Sequence, residues 1–288
     1  METEHKNQNQ SEAIISLFDQ GLRWWQDVYR EDLPRGFFSF EMRRRLELVT
    51  NQLTAQIETM DNPDVLECGC GPGDILELLA PLRCKLTGLD LNQRYLDLAA
   101  SRVPGATLID GNVEHLPFPD ASFDVVYAVG VFQYLKDERT AAKEICRVTK
   151  EGGVVLISFA NYRMLHLFLD PYYIYRTIKK ISGINNQPAN TGVEETPIRR
   201  YPLAQLRNLF REYDLHEIQT TSTSYGPLKF WRREFLPLAT SMRISDALHN
   251  WSEMKMLFAL KRVGNHLILT LRKGTAPAGT ASVNRGSL

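Results

Sequence analysis

Three glycines at alternate positions, Gly69, Gly71 and Gly73, stand in the stretch Val65-Leu66-Glu67-Cys68-Gly69-Cys70-Gly71-Pro72-Gly73-Asp74. Glycine lets the chain turn sharply and approach a ligand closely where a side chain would block it. The apolar run before the loop reads as a strand. The stretch after it reads as a helix, whose first N–H groups and positive dipole end favour an anionic group. A carboxylate, Asp90, ends the strand-like run Leu86-Thr87-Gly88-Leu89. It lies roughly twenty residues beyond the loop, the separation at which an acid meets the two hydroxyls of a ribose. The competing role for Asp90 is a cap on the helix that follows. A dinucleotide fingerprint would want glycine at 74, where Asp74 would repel a pyrophosphate, so these spacings argue against a nicotinamide dinucleotide.

Such groups need a sheet edge to hold them. Strand patterns occur at 64–68, 85–89, 106–110, 123–129, 153–159, 215–221 and 266–271. Helical patterns occupy 74–82, 92–101, 138–149 and 203–210, the last opened by Pro202 in a first turn. This alternation predicts an α/β fold: a Rossmann-like seven-stranded, mostly parallel sheet with right-handed crossovers and helices on both faces. Two segments, 161–200 and 222–264, leave from the carboxyl ends of strands, where open α/β sheets bind ligands, and are read as a helical lid. Ahead of the sheet, amphipathic patterns over 14–29 and 42–57 flank the breaker Pro34-Arg35-Gly36. Residues 1–60 are thus expected to be an N-terminal helical cap on a domain of 61–272, with 273–288 a disordered tail. Arg43, Arg44 and Arg45 open the second of these helices, as a solvated face or as ligand contacts.

The 34 basic and 34 acidic side chains cancel, which leaves no bulk attraction to nucleic acid or to an anionic membrane. The polar N-terminus lacks the pattern of a secretory signal, and no apolar run approaches the ~20 residues of a membrane span. A cytoplasmic protein is expected. Four cysteines at 68, 70, 84 and 146 form neither a disulfide framework nor a zinc pattern. Cys68-x-Cys70 lacks further ligands at the right spacing, so no metal site is assigned.

In several of these stretches the chain resembles the class I S-adenosylmethionine (SAM)-dependent methyltransferases, in their small-molecule branch (methyltransferase type 11, ubiquinone/menaquinone methyltransferase-like). The stretch 65–74 is similar to the family's first motif, and Leu86-Thr87-Gly88-Leu89-Asp90 to its acidic second-strand end. GNVEHLPFPDASFDVVYAVGVFQYL, 111–135, follows the family's GDAxxLPFxDxSFDxV stretch. The resemblance implies that Glu67, Gly69, Gly71 and Gly73 hold the methionine portion of SAM and Asp90 its ribose. Leu91 would pack on the adenine, Asn112 and Val113 would meet the adenine edge, and Val129 and Gly130 would line the cofactor. The family usually has aspartate at 112, and the Asn112 side-chain carbonyl still accepts from an adenine amino group. The implied strand order is 3-2-1-4-5-7-6 with the last strand antiparallel.

The implied reaction is in-line transfer of the sulfonium methyl to an acceptor, releasing S-adenosylhomocysteine (SAH), with no metal required. Positioning and exclusion of water can supply much of the acceleration, and a base matters only for a poorly ionised acceptor. His166 and Tyr134 are the candidates for that base. The insertions mix aromatic and apolar residues with Arg and Lys, which suits a small amphipathic acceptor such as a lipid, quinone precursor, polyketide or lipid-linked sugar, or peripheral contact with a membrane. Asp170-Pro171-Tyr172-Tyr173 resembles the D/N-P-P-Y/F motif of adenine amino-group methyltransferases. It lies after the fifth strand instead of the fourth and lacks the second proline, so it reads as a helix-turn element and no nucleic-acid partner is expected. A non-catalytic SAM-binding scaffold is the alternative from a different class, and a nucleic-acid methyltransferase a weaker one. No interface signature sets an oligomeric state.

Overall fold

The computed structural model describes residues 36–165, 169–181 and 198–274, together with Ser16 and Val28. The alternating stretches fold into a seven-stranded sheet. Its strands are β1 Asp64–Cys68, β2 Lys85–Asp90, β3 Thr107–Asp110, β4 Phe123–Val129, β5 Thr149–Ala160, β6 Leu215–Ser222 and the final β9 His266–Lys273. The order is β3-β2-β1-β4-β5-β9-β6. Neighbours from β3 to β5 pair in parallel, and β9 runs antiparallel to both β5 and β6. This is the expected topology. The last strand is the ninth because an unforeseen hairpin, β7 Lys229–Phe230 with β8 Arg233–Glu234, forms within 222–264.

Successive strand residues point to opposite faces, and both faces are covered. Leu66, Val126 and Val155 enter one apolar cluster, Val65, Val125 and Leu156 the other. Burial on both sides explains why the strands read as continuous apolar runs and not as alternating ones. Around the sheet lie α1 Phe37–Ile57, α2 Asp74–Leu79, α3 Gln93–Arg102, α4 Glu138–Val148, α5 Pro171–Ile181, α6 Leu203–Arg211 and α7 Leu238–Glu253.

Caps fix where the helices that face the site begin. Asn92 Oδ1 accepts from Arg94 N at 3.0 Å, and Asp137 Oδ1 from Arg139 N at 2.9 Å. The α3 cap is therefore Asn92, two residues past Asp90. Helix α1 starts five residues earlier than its apolar spacing predicts, because Ser39 Oγ accepts from Gly36 N and donates to Gly36 O. That early start brings Glu41 into the helix. Val49, Leu53 and Ile57 of α1 are fully buried in the same cluster as Val65 of β1, so α1 is packed on the sheet. The helix expected at 14–29 apart from Ser16 and Val28, His166 and most of the tail expected at 273–288 lie outside the described residues.

Candidate functional site

A cavity of about 1000 Å³ opens at the carboxyl ends of β1, β2 and β4, at the upper end of the range of small-molecule sites. One half is built by the glycine loop. Gly71 has φ +51°, and a Cβ there would meet no protein atom within 4 Å, so any side chain would enter the cavity. Its N–H donates to Asp90 Oδ2 at 2.8 Å, and Asn92 N donates to Asp90 Oδ1 at 2.9 Å. Asp90 is thus fixed by the two segments it connects. Gly69, φ +72°, touches Val131: a Cβ would fall 2.5 Å from Val131 Cγ2. Gly73 does not line the cavity. It is the left-handed N-cap residue of α2, and its missing side chain admits Ala99 of α3.

Beneath the loop, Glu67 is 3% exposed and accepts from the Tyr127 hydroxyl at 3.0 Å. Burial pushes its carboxyl well above the usual range, the Tyr127 hydrogen bond opposes this, and the charges of Asp74 and Asp90 add to the rise. Burial also raises Asp90, against donation from the Asn92, Gly71 and Leu91 backbone. Asp74 pairs with Arg102 at 2.8 Å. Leu91 is a large apolar residue left exposed and lining the cavity. Val113, Val129 and Gly130 line it as well, as does Asn112, whose Oδ1 already accepts from Glu114 N at 2.9 Å and keeps one lone pair for a ligand.

The other half comes from elements remote in sequence. Helix α1 contributes Glu41, Met42 and Arg45, β9 contributes His266, and the insertions contribute Met164, Arg200, Lys229 and Glu234. The three arginines divide. Arg44 pairs with Glu47 at the surface and Arg43 donates to the Val28 carbonyl, whereas Arg45 is buried against Gly130 and lines the cavity. Of the two roles open to the run, Arg44 thus takes the solvated one, whereas Arg45 stands where a ligand contact is possible. Tyr134, in a turn after β4, also lines the cavity. His166 has no described position.

Asp170 is fully buried, and its carboxylate accepts from Tyr172 N and Arg232 N, each at 3.0 Å. It caps α5 and ties the two insertions together away from the cavity, a structural role for the Asp-Pro-Tyr-Tyr stretch. Around this tie Trp231 packs on Tyr172 and Tyr175, with Arg232 over the Tyr172 ring and Lys179 over that of Tyr175. Among the described residues no group of three His, Cys, Asp or Glu is placed to hold a metal. The Cys68 and Cys70 thiols are buried in the core, which pushes both far up.

Residues 66–157 match the family model of a methyltransferase domain. A probable S-adenosylmethionine-dependent methyltransferase of Mycolicibacterium smegmatis is 36% identical over 118 residues, 41% of this chain and 45% of the relative. The trans-aconitate 2-methyltransferase of Afipia carboxidovorans is 36% identical over 111 residues, 38% of this chain and 43% of that protein. The chain thus spans less than half the length of these curated relatives. In fold it is similar to the magnesium protoporphyrin IX methyltransferase of Synechocystis PCC 6803, with a TM-score of 0.60 at 16% identity over 91% of this chain and 99% of that one.

The residues present fit SAM. Carboxylates at 67, 74 and 90 line the cavity, Glu67 buried and the other two partly so; they suit a ligand carrying an ammonium and a sulfonium and would repel a pyrophosphate. The side-chain-free space at Gly71 leaves room for the ligand beside the loop, within reach of both Glu67 and Asp90.

Proposed function

We propose, from the premise that residues 66–157 are a class I SAM-dependent methyltransferase domain, that the chain transfers a methyl group from SAM to a small, amphipathic or lipid-linked acceptor. One observation carries this reading: a single cavity joins the Glu67–Gly71–Asp90 cradle to a second chamber walled by α1, β9 and both insertions. That is room for two reactants, whereas a binding scaffold needs only the first. When bound, SAM supplies an electrophilic methyl on a positively charged sulfur. Glu67 would pair with its ammonium end and Asp90 would accept from the ribose hydroxyls. Leu91 and Val113 would flank the adenine, with the Asn112 carbonyl toward its amino group. Gly69 and Gly130 would keep the backbone close to the sulfur end, and the insertions would exclude water from the methyl.

Two observations bear on the acceptor. The similarity to a trans-aconitate methyltransferase favours a small molecule. The patch formed by Leu169, Ile174, Tyr175, Ile178, Phe230 and Trp231 leaves large apolar side chains exposed beside Lys179, Arg232 and Arg233. Aromatic rings mixed with cations suit the interface of an anionic membrane, from which an amphipathic acceptor would enter.

The test is transfer of labelled methyl from SAM into a cell extract, with Asp90→Ala as control, followed by organic and aqueous partition. Label in the organic phase is the expected outcome. Label in the aqueous phase alone would overturn the amphipathic acceptor, and SAM binding with no transfer would favour the scaffold.

A further inference from the structure

On the acceptor side of the cavity, far from the glycine loop, stands a polar pair that neither the glycine motif nor the acidic strand end announces. Glu41 projects from α1, and His266 opens β9 directly opposite Ala160 at the end of β5. Glu41 Oε1 lies 2.6 Å from His266 Nδ1, and Glu41 Oε2 accepts from Asn265 Nδ2 at 3.2 Å. Asn265 is itself held, since its N–H donates to the Ser224 carbonyl at 2.8 Å and its side chain bonds the Gly226 backbone. The pair is therefore braced from α1, β9 and the second insertion. Both residues line the cavity that holds Glu67, Asp90 and Gly130.

The proton of this pair is assigned by its surroundings. Burial by itself would raise the Glu41 carboxyl. His266 beside it, with hydrogen bonds from His266, Asn265 and Ser224, outweighs burial and holds Glu41 below the ordinary range. A carboxylate accepts only, so the 2.6 Å contact places a proton on Nδ1 whatever the charge of the ring, and whenever the ring is neutral its lone pair is on Nε2. Nε2 has no hydrogen-bond partner among the described residues. The sheet register gives the scale of the gap. Gly130 N donates to the Ser158 carbonyl, and β4 and β9 flank β5 on opposite sides. The backbone of His266 is thus two strand spacings, roughly 10 Å, from the end of β4. A small acceptor fits that separation.

Resting on the methyltransferase reading, we propose that His266 Nε2 is the proton acceptor for a substrate O–H that is neutral at physiological pH, such as a phenol or enol, and that Glu41 is its positioning residue. A carboxylate acceptor would need no such group. As the acceptor oxygen bonds to the methyl carbon, the methyl–sulfur bond breaks with its electron pair retained on sulfur, giving the neutral thioether SAH. The O–H proton passes to Nε2, and the imidazolium, beside the Glu41 carboxylate, returns it to water when the products leave. Arg45, Arg200, Lys229 and Glu234 are the other charged groups facing this chamber.

Two measurements test the assignment. In the full chain saturated with SAH, ¹⁵N NMR of the histidine rings should show His266 protonated at Nδ1 and bare at Nε2. The opposite tautomer overturns the proposal whether or not any acceptor is found, and this readout on the unmodified chain decides the matter if a variant misfolds. The second uses labelled SAM and the organic fraction of a cell extract as probe. His266→Gln should lower transfer at neutral pH by about 10²- to 10⁴-fold while the SAH Kd stays within about twofold. Its residual rate should climb with pH as the acceptor ionises unaided. Glu41→Gln, whose amide N–H can donate to Nδ1, should move the ring proton of His266 toward Nε2 in the ¹⁵N spectrum and lower kcat with little change in KM, effects a merely structural residue would not produce. Transfer by the wild type with His266→Gln keeping more than a third of the rate overturns the base while leaving methyl transfer intact. No transfer by the wild type, with SAM bound, overturns the enzymatic reading and this one with it.

Discussion

Replacing Glu67 by glutamine probes the site where its charge is most costly to maintain. Glutamine keeps the volume and still accepts from the Tyr127 hydroxyl, so only the ionisable oxygen is lost. A hydrogen bond to a charged group contributes about 1.5–3 kcal/mol net. At about 1.4 kcal/mol per decade, the Kd for SAM should rise about 10- to 150-fold. Stability without ligand should move the opposite way. The folded-state pKa of Glu67 is raised because burial penalises the charged form. A carboxyl whose folded pKa is raised favours the folded state below the unfolded pKa and loses that contribution as pH rises through the folded one. Glu67→Gln should therefore raise the ligand-free Tm, by more at pH 8 than at pH 5. SAM binding, which needs the carboxylate, should weaken in the wild type as pH falls through the raised value, with proton release on binding. The variant should show a flatter profile, its remaining slope set by Asp90, which is also raised by burial. Calorimetric titration in buffers of different ionisation enthalpy, paired with thermal melts, measures both. A Glu67→Gln Kd within twofold of wild type, or a ligand-free Tm that falls, would refute the assignment of this buried charge to the ligand.

Other perturbations separate binding from folding. Asp90→Ala leaves the Gly71 and Asn92 N–H groups without their acceptor, so a loss of about 1–3 kcal/mol of stability should accompany loss of SAM binding, read by denaturant unfolding and titration. Gly69→Ala and Gly71→Ala differ by their surroundings. Both sit in the left-handed region, which costs an L-residue about 1–2 kcal/mol. Only at 69 does the new methyl collide with Val131, whereas at 71 it enters the cavity. Gly69→Ala should therefore melt at the lower temperature, while Gly71→Ala should fold nearly as well as its backbone allows and still fail to bind SAM. For the surface patch, Trp231→Ala with Arg232→Ala should reduce co-sedimentation with phosphatidylglycerol vesicles several-fold and leave SAM affinity unchanged. Equal binding by the variant would remove the membrane contact.

The glycine-loop half of the cavity is legible in the sequence because its geometry is local. Gly69, Gly71 and Asp90 meet through one strand, one turn and the neighbouring strand, and the parallel pairing of β1 with β2 sets Cys68 opposite Leu89. Spacing along the chain becomes spacing across the sheet edge. Even there a glycine pattern does not distinguish a residue that faces a ligand from one that faces a helix. Gly73 fits the same alternation as Gly71, and only the closeness of Ala99 shows which way its absent side chain would point. Asp90 likewise had two legible roles until Asn92 took the capping one.

The acceptor half follows a different logic. Glu41 and His266 are 225 residues apart, and they meet only because β9 inserts antiparallel between β5 and β6, bringing its first residue to the end of β5, where α1 crosses. No periodicity encodes that encounter. Within α1, Glu41 and Arg45 are four residues apart and share a face, yet their charges disguise that face as solvated. The Ser39–Gly36 cap, which starts the helix early enough to include Glu41, is a feature of one turn. A reading by motif thus assigns the base to histidines and tyrosines near the loops, His166 and Tyr134, because those are the residues that chain proximity can place. A buried carboxylate paired with a histidine on the last strand is visible only once the topology has closed. The two halves also differ in what they can discriminate: the glycine loop can serve any ligand that carries an ammonium and a ribose, whereas under the proposed reading the choice of acceptor falls to the chamber walled by α1, β9 and the two insertions.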